Sequence, residues 1–506
     1  MNRNRLFMRN IIISLAFSVF NFALAIIEVR LFLIRYGSVV NGLVQTGYQA
    51  LQYLSLIESG ICAAFLYHLY RPLGEGNYHK VSSLYKGFNK SMHKVVLLML
   101  IASAAIFFII PIAIQDKTLG YWGSLTILLL IGLRIIAPYY VSLAPKYMLI
   151  AREKKYKVEF VDGLTLALVY LGDIIMMTLW TPPIPLLLAL DLLIVVGVSL
   201  LCRIMMNKEY KGLLVSNVEM DRSPTKMTKD LFAINASSLA FNSSSNLILA
   251  IFMPSLTIAT IYSSYNRIVS TIINTVQKII EGTTASIGIK ISRNDSNVYS
   301  VYCEILSATQ FFSSVISIVF IACINKFIEL WIGSEYLIDQ ASVLLFGLAL
   351  YGNMVLPSYY VAKDACGLFK ESRSFSIAQS VLNIVLSIIL VKLLGITGIL
   401  LSIVACRFLI SIPFNYALIY KFVFPGQHAN WLKLIANIGY FIIMSLIIPY
   451  GVSRVNAITL SIWNFIPQIM GSFVVAFFAQ FIYMFLVDKS FKSLIVRIRK
   501  VNLLRR

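Results

Sequence analysis

The chain has 506 residues, of which 59% are apolar and only 13% charged, and its mean hydropathy is +0.82. Soluble domains run about 45–50% apolar and about 25% charged, so an ordinary soluble enzyme, a disordered chain and a fibrous repeat are all excluded. Lys and Arg outnumber Asp and Glu by 43 to 22, a net charge of +21. The basic residues fall mostly between apolar runs, so they read as topology signals and contacts with anionic lipid, not as a nucleic-acid surface.

One helical span needs ~20 apolar residues. The sequence predicts fourteen, at 10–34, 41–69, 95–114, 120–150, 160–180, 184–206, 230–252, 256–289, 300–325, 338–362, 375–394, 396–420, 432–450 and 460–487. Arg3, Arg5 and Arg9 precede the first run. That run is too long for a signal peptide and another span follows it, so it reads as a retained helix. The expected fold is an all-α polytopic membrane protein.

Orientation follows from Lys and Arg. With the N-terminus inside, the inner segments carry 33 of them and the outer segments five (Arg35, Lys117, Lys326, Lys392 and Arg454). Both ends are then cytoplasmic. Every predicted outer loop is short, so no external domain is expected. The tail 489–506 reads as an amphipathic surface helix.

Weak internal similarity suggests a duplication. Ser14 and Asn21 correspond to Asn235 and Asn242 at an offset of 221, and Glu58 corresponds to Glu281 at 223. The expected organisation is a cytoplasmic N-terminus (1–9), an N-terminal lobe of six helices (10–206), a cytoplasmic linker (207–229), a pseudo-symmetric C-terminal lobe (230–420), two further helices (432–487) and a basic cytoplasmic tail (488–506). A cavity is expected between the lobes.

The eighth span carries the strongest polar signal. Arg267, Thr271, Asn274, Lys278 and Glu281 are spaced 4, 3, 4 and 3, which places them on one helix face. An uncompensated charge near the bilayer centre costs ~2.5–3.5 kcal/mol, so this face meets protein or water. It is either the wall of a cationic cavity for an anionic substrate or a seam in which Lys278 pairs with Glu281. Arg267 has no acid three or four residues away, which favours the cavity. The first span carries Asn10, Ser14, Ser18, Asn21 and Glu28, with Arg30 beside that face. The second carries Gln45, Gln49, Gln52, Ser55, Glu58 and Ser59, and the seventh Asn235, Ser238, Asn242 and Ser245. Hydrogen-bond glue between helices is the alternative to a cavity. Arg134, four residues before Pro138, and Arg407 are further cavity candidates. Asp173 and Asp191 are candidates to neutralise arginines or to carry a coupling cation. Tyr139-Tyr140 and Tyr359-Tyr360 read as packing.

No metal, cofactor or enzyme signature is present. The six cysteines are scattered without a C-x-x-C, the four histidines never pair at ligand spacing, and no Walker-A, H-E-x-x-H or G-x-S-x-G occurs. Energy would come from an ion gradient, the membrane potential or the substrate gradient.

The stretches Tyr36-Gly-Ser-Val-Val-Asn-Gly-Leu-Val-Gln45, Tyr53-Leu-Ser-Leu-Ile-Glu-Ser-Gly60 and Leu69-Tyr-Arg-Pro-Leu73 resemble the Wzx-type flippases of bacterial polysaccharide synthesis, in the multidrug/oligosaccharidyl-lipid/polysaccharide (MOP) superfamily. The resemblance implies two six-helix lobes in a V, alternating access and a cationic cavity. It implies as substrate an undecaprenyl-diphosphate-linked oligosaccharide, moved to the outer leaflet of a bacterial plasma (inner) membrane for O-antigen, capsule or exopolysaccharide. Membrane lipids, a polysaccharide polymerase and glycosyltransferases are the implied partners. The related lipid II flippases use arginines on the first, second and eighth helices, which points to Arg30 and Arg267; the second helix here has Glu58 instead. By position, helices thirteen and fourteen correspond to the tail-holding helices of those flippases. The rival readings are a MATE-like multidrug exporter and a membrane polysaccharide polymerase or ligase.

Overall fold

The structure is a computed structural model that describes residues 3–152, 154–215, 218–221, 229–292, 297–455 and 462–504. Among them it is helices joined by turns, with no strand. In chain order these are α1 (Arg3–Gln52), α2 (Ser55–Gly74), α3 (Tyr78–Ala113), α4 (Gly120–Ala151), α5 (Lys155–Leu179), α6 (Ile184–Glu209), α7 (Lys229–Phe252), α8 (Leu256–Ser292), α9 (Val298–Trp331), α10 (Gln340–Ala365), α11 (Phe369–Leu394), α12 (Ile396–Ala405), α13 (Ile412–Leu418), α14 (Trp431–Val455), α15 (Ile462–Val487) and α16 (Lys489–Leu504). Helices satisfy their own backbone groups, which is what a hydrocarbon solvent demands.

Most predicted spans reappear within a few residues. The predicted break between the first two, at 35–40, falls where α1 kinks at Gly37, which takes the non-helical φ 81° and ψ 171°. A non-glycine residue there would be strained by roughly 1–2 kcal/mol. A second break at Tyr53 and Leu54 separates α1 from α2. The third helix starts at Tyr78, well before the predicted 95, because Asn77 caps it by accepting from the Lys80 N–H at 3.0 Å and residues 78–94 remain helical outside the apolar stretch. Helices α12 and α13 are joined by a π-helical segment, Cys406–Ser411, where the Ser411 hydroxyl bonds back five residues to the Cys406 carbonyl at 3.0 Å. The tail is the helix α16, as its pattern predicts.

Eleven helices among the described residues are long and apolar enough to cross a membrane. The predicted fourteen also require α2, α7 and α8, which by sequence are the helices carrying Glu58, the Asn/Ser stripe and the Arg267 face. Leu179 and Leu432 are each 82% exposed. Apolar exposure on this scale fits lipid and not water.

The chain divides into two compact units, Met1–Ser263 and Ser264–Arg506. In the first, α1 packs on α5, α4 on α6 and α3 on α4. In the second, α9 is central, touching α10, α14, α15 and α16. The most apolar windows of α9 and α10 are 61% and 78% buried, against 22% for α15, so α15 is peripheral.

Candidate functional site

In the first unit the later part of α1 meets α7 and the start of α8 along a polar seam. The Ser38 and Thr257 hydroxyls lie 2.8 Å apart. Asn41 Nδ2 donates to Thr260 Oγ1 at 3.3 Å, and Thr260 donates to the Ser38 carbonyl at 2.6 Å. Gln49 Oε1 accepts from the Asn246 backbone N–H at 3.2 Å, and Gln52 Oε1 accepts from Ser243 at 2.5 Å. Gly42 permits the approach: a Cβ there would sit 2.2 Å from the Leu256 carbonyl oxygen. Asn246 is fully buried with neither side-chain amide atom hydrogen-bonded among the described residues. An unmet buried amide costs about 1–3 kcal/mol of desolvation.

A cluster of charge sits deeper in the same unit. Arg134 on α4 pairs with Asp191 on α6 at 3.0 Å and donates to the Tyr48 hydroxyl on α1. Asp173 on α5 and Asp191 are 5% and 2% exposed, and the two carboxyls lie within hydrogen-bonding reach. The α1 carboxylate of Glu28 acts in the same field. One arginine neutralises one charge, so the cluster holds more acid than base. Among the described residues no three His, Cys, Asp or Glu side chains are grouped to hold a metal ion.

In the second unit, Arg267 on α8 is partly buried and makes no ion pair among the described residues. Its carbonyl accepts from the Thr271 hydroxyl at 2.8 Å, and Asn274 one turn on is exposed. Arg407 is 7% exposed in the π-helical segment and bonds to the Tyr360 hydroxyl. Lys363 also stands over the Tyr360 ring, 4.3 Å from its centre. Gly352 faces the Arg407 stem, where a Cβ would approach it to 3.2 Å.

The remaining predicted residues are placed as follows. Arg30 is exposed. Asn21 is buried and donates to the Gly163 carbonyl of α5 at 3.0 Å. Gln52 is exposed and holds Ser243. Asn242 is exposed and donates to the Ser238 carbonyl at 2.9 Å. The side chains of Glu58, Lys278 and Glu281 lie outside the described residues, as do those of Asn10 and Ser14. Arg30, Asn21, Gln52, Asn242 and Arg134 belong to the first unit, and Arg267, Thr271, Asn274 and Arg407 to the second. Sequence reasoning passed over Tyr48 and Lys363. Tyr48 is a common residue type in an apolar helix, Lys363 falls in a predicted inner segment, and only helix packing shows what each touches.

Neither a protein-family profile nor a curated protein sequence matches the chain. Solved structures do. A lipid II flippase MurJ in an inward closed conformation superposes with TM-score 0.67 at 14% identity, covering 94% of this chain and 99% of that one. An inward-facing multidrug resistance MATE family transporter of the MOP superfamily gives 0.60 at 11% identity, over 81% of this chain and 98% of that one. A eukaryotic MATE transporter gives 0.53 at 11% identity, over 88% and 100%. The residues described above are therefore carried on a fold like that of the MurJ and MATE structures.

Proposed function

We propose that this protein is a flippase for a lipid-linked oligosaccharide whose diphosphate engages the polar face of α8. The observation that carries this reading is Arg267, a partly buried cation with no ion-pair partner among the described residues, followed along the helix by Thr271 and exposed Asn274. Arginine matches phosphate oxygens in bidentate geometry. Asn, Gln and Ser on α1 and α7 offer hydrogen bonds to sugar hydroxyls, and a prenyl tail stays in lipid while the headgroup crosses. The MurJ-like fold over nearly the whole chain supports a lipid-linked substrate. The repeat unit would be that of an O-antigen, capsule or exopolysaccharide, delivered to the outer leaflet of a bacterial plasma membrane. Glycosyltransferases would supply it and a polymerase would consume it.

Coupling is assigned to the carboxyl pair Asp173 and Asp191 beside Arg134, with a proton as the coupling ion. Taking up and releasing that proton changes the charge that Arg134 must balance and so biases α4, α5 and α6 between two packings.

The test is surface polysaccharide in cells carrying Arg267→Ala or Lys278→Ala. Loss of about tenfold or more in each is expected if each charge-assisted contact is worth over ~1.4 kcal/mol. Unchanged export in both variants overturns the proposal. For coupling, Asp173→Asn in proteoliposomes should flip substrate at a rate that no longer responds to an imposed pH gradient. A retained response assigns coupling elsewhere.

A second reading is a MATE-like exporter of organic cations, favoured by the three acids Glu28, Asp173 and Asp191 in the first unit. It requires that deletion raise drug sensitivity while surface polysaccharide is unchanged.

A further inference from the structure

The second unit contains a polar cavity of about 580 Å³ that the proposed transport path does not use. On one side α9 presents Tyr299, Cys303, Ser307 and Gln310, whose spacing of 4, 4 and 3 puts them on one face. Facing them are Lys433 and Asn437 of α14 and Lys489, Ser490 and Ser493 of α16.

The acids beside this cavity are already occupied by the protein. Asp488 is fully buried: its Oδ1 accepts from Lys433 Nζ at 2.7 Å and from the Ser490 N–H at 2.8 Å, and its Oδ2 accepts from the Ser307 hydroxyl at 2.6 Å. Glu304 is 2% exposed, accepting from the Ser493 hydroxyl at 2.6 Å and pairing with Arg497 at 2.9 Å. Gln310 and Asn437 satisfy each other at 2.9 Å. The lining itself carries two lysines and no acid. Lys489 is exposed and makes no ion pair among the described residues. Lys433 spends one proton on Asp488 and has two more, and His428 lines the same space.

The setting is amphipathic. Leu432 and Leu486, next to the lining residues Lys433 and Val487, are 82% and 68% exposed. The segments 421–433 and 488–506 that build the mouth are among those the Lys/Arg bias assigns to the cytoplasmic face. A phosphoryl anion fits the donors, and an attached acyl chain fits the apolar flank.

We infer that this cavity binds the phosphoryl headgroup of an anionic membrane lipid, held by Lys489, Lys433 and the Ser300 and Ser490 hydroxyls. The site is separate from the α8 face, so it stands or falls independently of the transport reading.

Cys303 lines the cavity and is partly exposed, which makes it a reporter. The full chain is placed in nanodiscs of phosphatidylcholine, with or without phosphatidylglycerol. Alkylation of Cys303 by N-ethylmaleimide is read by peptide mass, and lipid retained after extraction is read by native mass spectrometry. Phosphatidylglycerol should slow the alkylation and remain bound, and Lys489→Gln should weaken both effects about tenfold. Lys489 is exposed, so this variant keeps the fold, which circular dichroism checks. Equal alkylation in the two lipids with no lipid retained overturns the inference. So does undiminished protection in Lys489→Gln. Protection by inorganic phosphate or glycerol 1-phosphate in pure phosphatidylcholine discs, without retention of phosphatidylglycerol, assigns the donors to a soluble phosphorylated ligand and overturns the lipid as occupant. Surface polysaccharide with Arg267 varied reports on the other site and is not expected to change the alkylation.

Discussion

Arg134 and Arg407 show two ways of keeping a guanidinium inside a helical membrane protein. Arg134 is held by opposite charge: Asp191 at 3.0 Å and the Tyr48 hydroxyl. Arg407 is held by Tyr360 and by the wider turn of a π-helical segment, beside a glycine that leaves room for its stem. Removing one partner of a buried pair strands the other and costs about 3–5 kcal/mol, whereas replacing both by apolar groups is often neutral. Arg134→Met should therefore lower the melting temperature in detergent clearly, and Arg134→Met with Asp191→Leu should restore most of it while abolishing any response to a pH gradient. A single variant as stable as the double would show that the pair carries no such energy.

At the scale of elements, two carboxylates outside the spans fasten helix starts. Asp116, between α3 and α4, accepts from the Leu256 N–H at 3.2 Å and the Ser255 hydroxyl at 3.3 Å, capping α8. Asp339 accepts from the Ser342 N–H at 3.0 Å and the Ser342 hydroxyl at 2.7 Å, capping α10. Partial burial alone would raise both carboxyls, but the bonds from Thr118, Leu256 and Ser255 to Asp116, and from Ser342 and Thr397 to Asp339, outweigh it and hold them below the usual carboxylate range. A depressed carboxyl stabilises the fold above its unfolded pKa of about 4, and that gain is lost as pH falls through the depressed folded value. Asp339→Ala should cost about 1 kcal/mol at neutral pH. The gap from wild type should close as the pH is taken below the carboxylate range. A gap that persists in acid would mean the loss is one of packing.

At the scale of the whole molecule, the connection after α6 is not a slack tether. Val215, Glu219 and Asp221 lie against α3. The Val215 N–H donates to Ser82 Oγ at 2.9 Å, Ser83 Oγ donates to the Glu219 carbonyl at 2.5 Å, and Lys80 pairs with Asp221 at 2.6 Å. Gly87 admits the strap, since a Cβ there would stand 2.0 Å from the Asp221 carbonyl oxygen. At the same end, Glu209 of α6 pairs with Lys157 at 2.6 Å and also with Lys154. Gly87→Val should push the strap off α3 and speed tryptic cleavage after exposed Lys211, with the helical content unchanged. Cleavage at the wild-type rate would show that the strap does not depend on this contact.

The membrane class, most of the helix positions and the polar faces of α1, α7 and α8 were legible from the residues alone. Hydrophobic runs of sufficient length have one stable form in lipid, and a helix converts spacing in sequence directly into faces. The break at Gly37 was legible as the gap between the first two apolar runs, but the break at Tyr53 and Leu54 was not, because no Gly, Pro or charge marks it. Nor was the early start of α3, whose polar first turns follow no apolar period. The partners of the buried charges were beyond the sequence for a different reason. Arg134 and Asp191 are 57 residues apart, and Tyr48 lies further still, so no local periodicity relates them. Lys433, Asp488 and Ser307 meet only because α9, α14 and α16 pack together. Sequence by itself determined that positive charge lies inside a helical membrane protein. Tertiary packing decided which of those charges are neutralised by acids and which are not, because that depends on short-range contacts between helices distant along the chain.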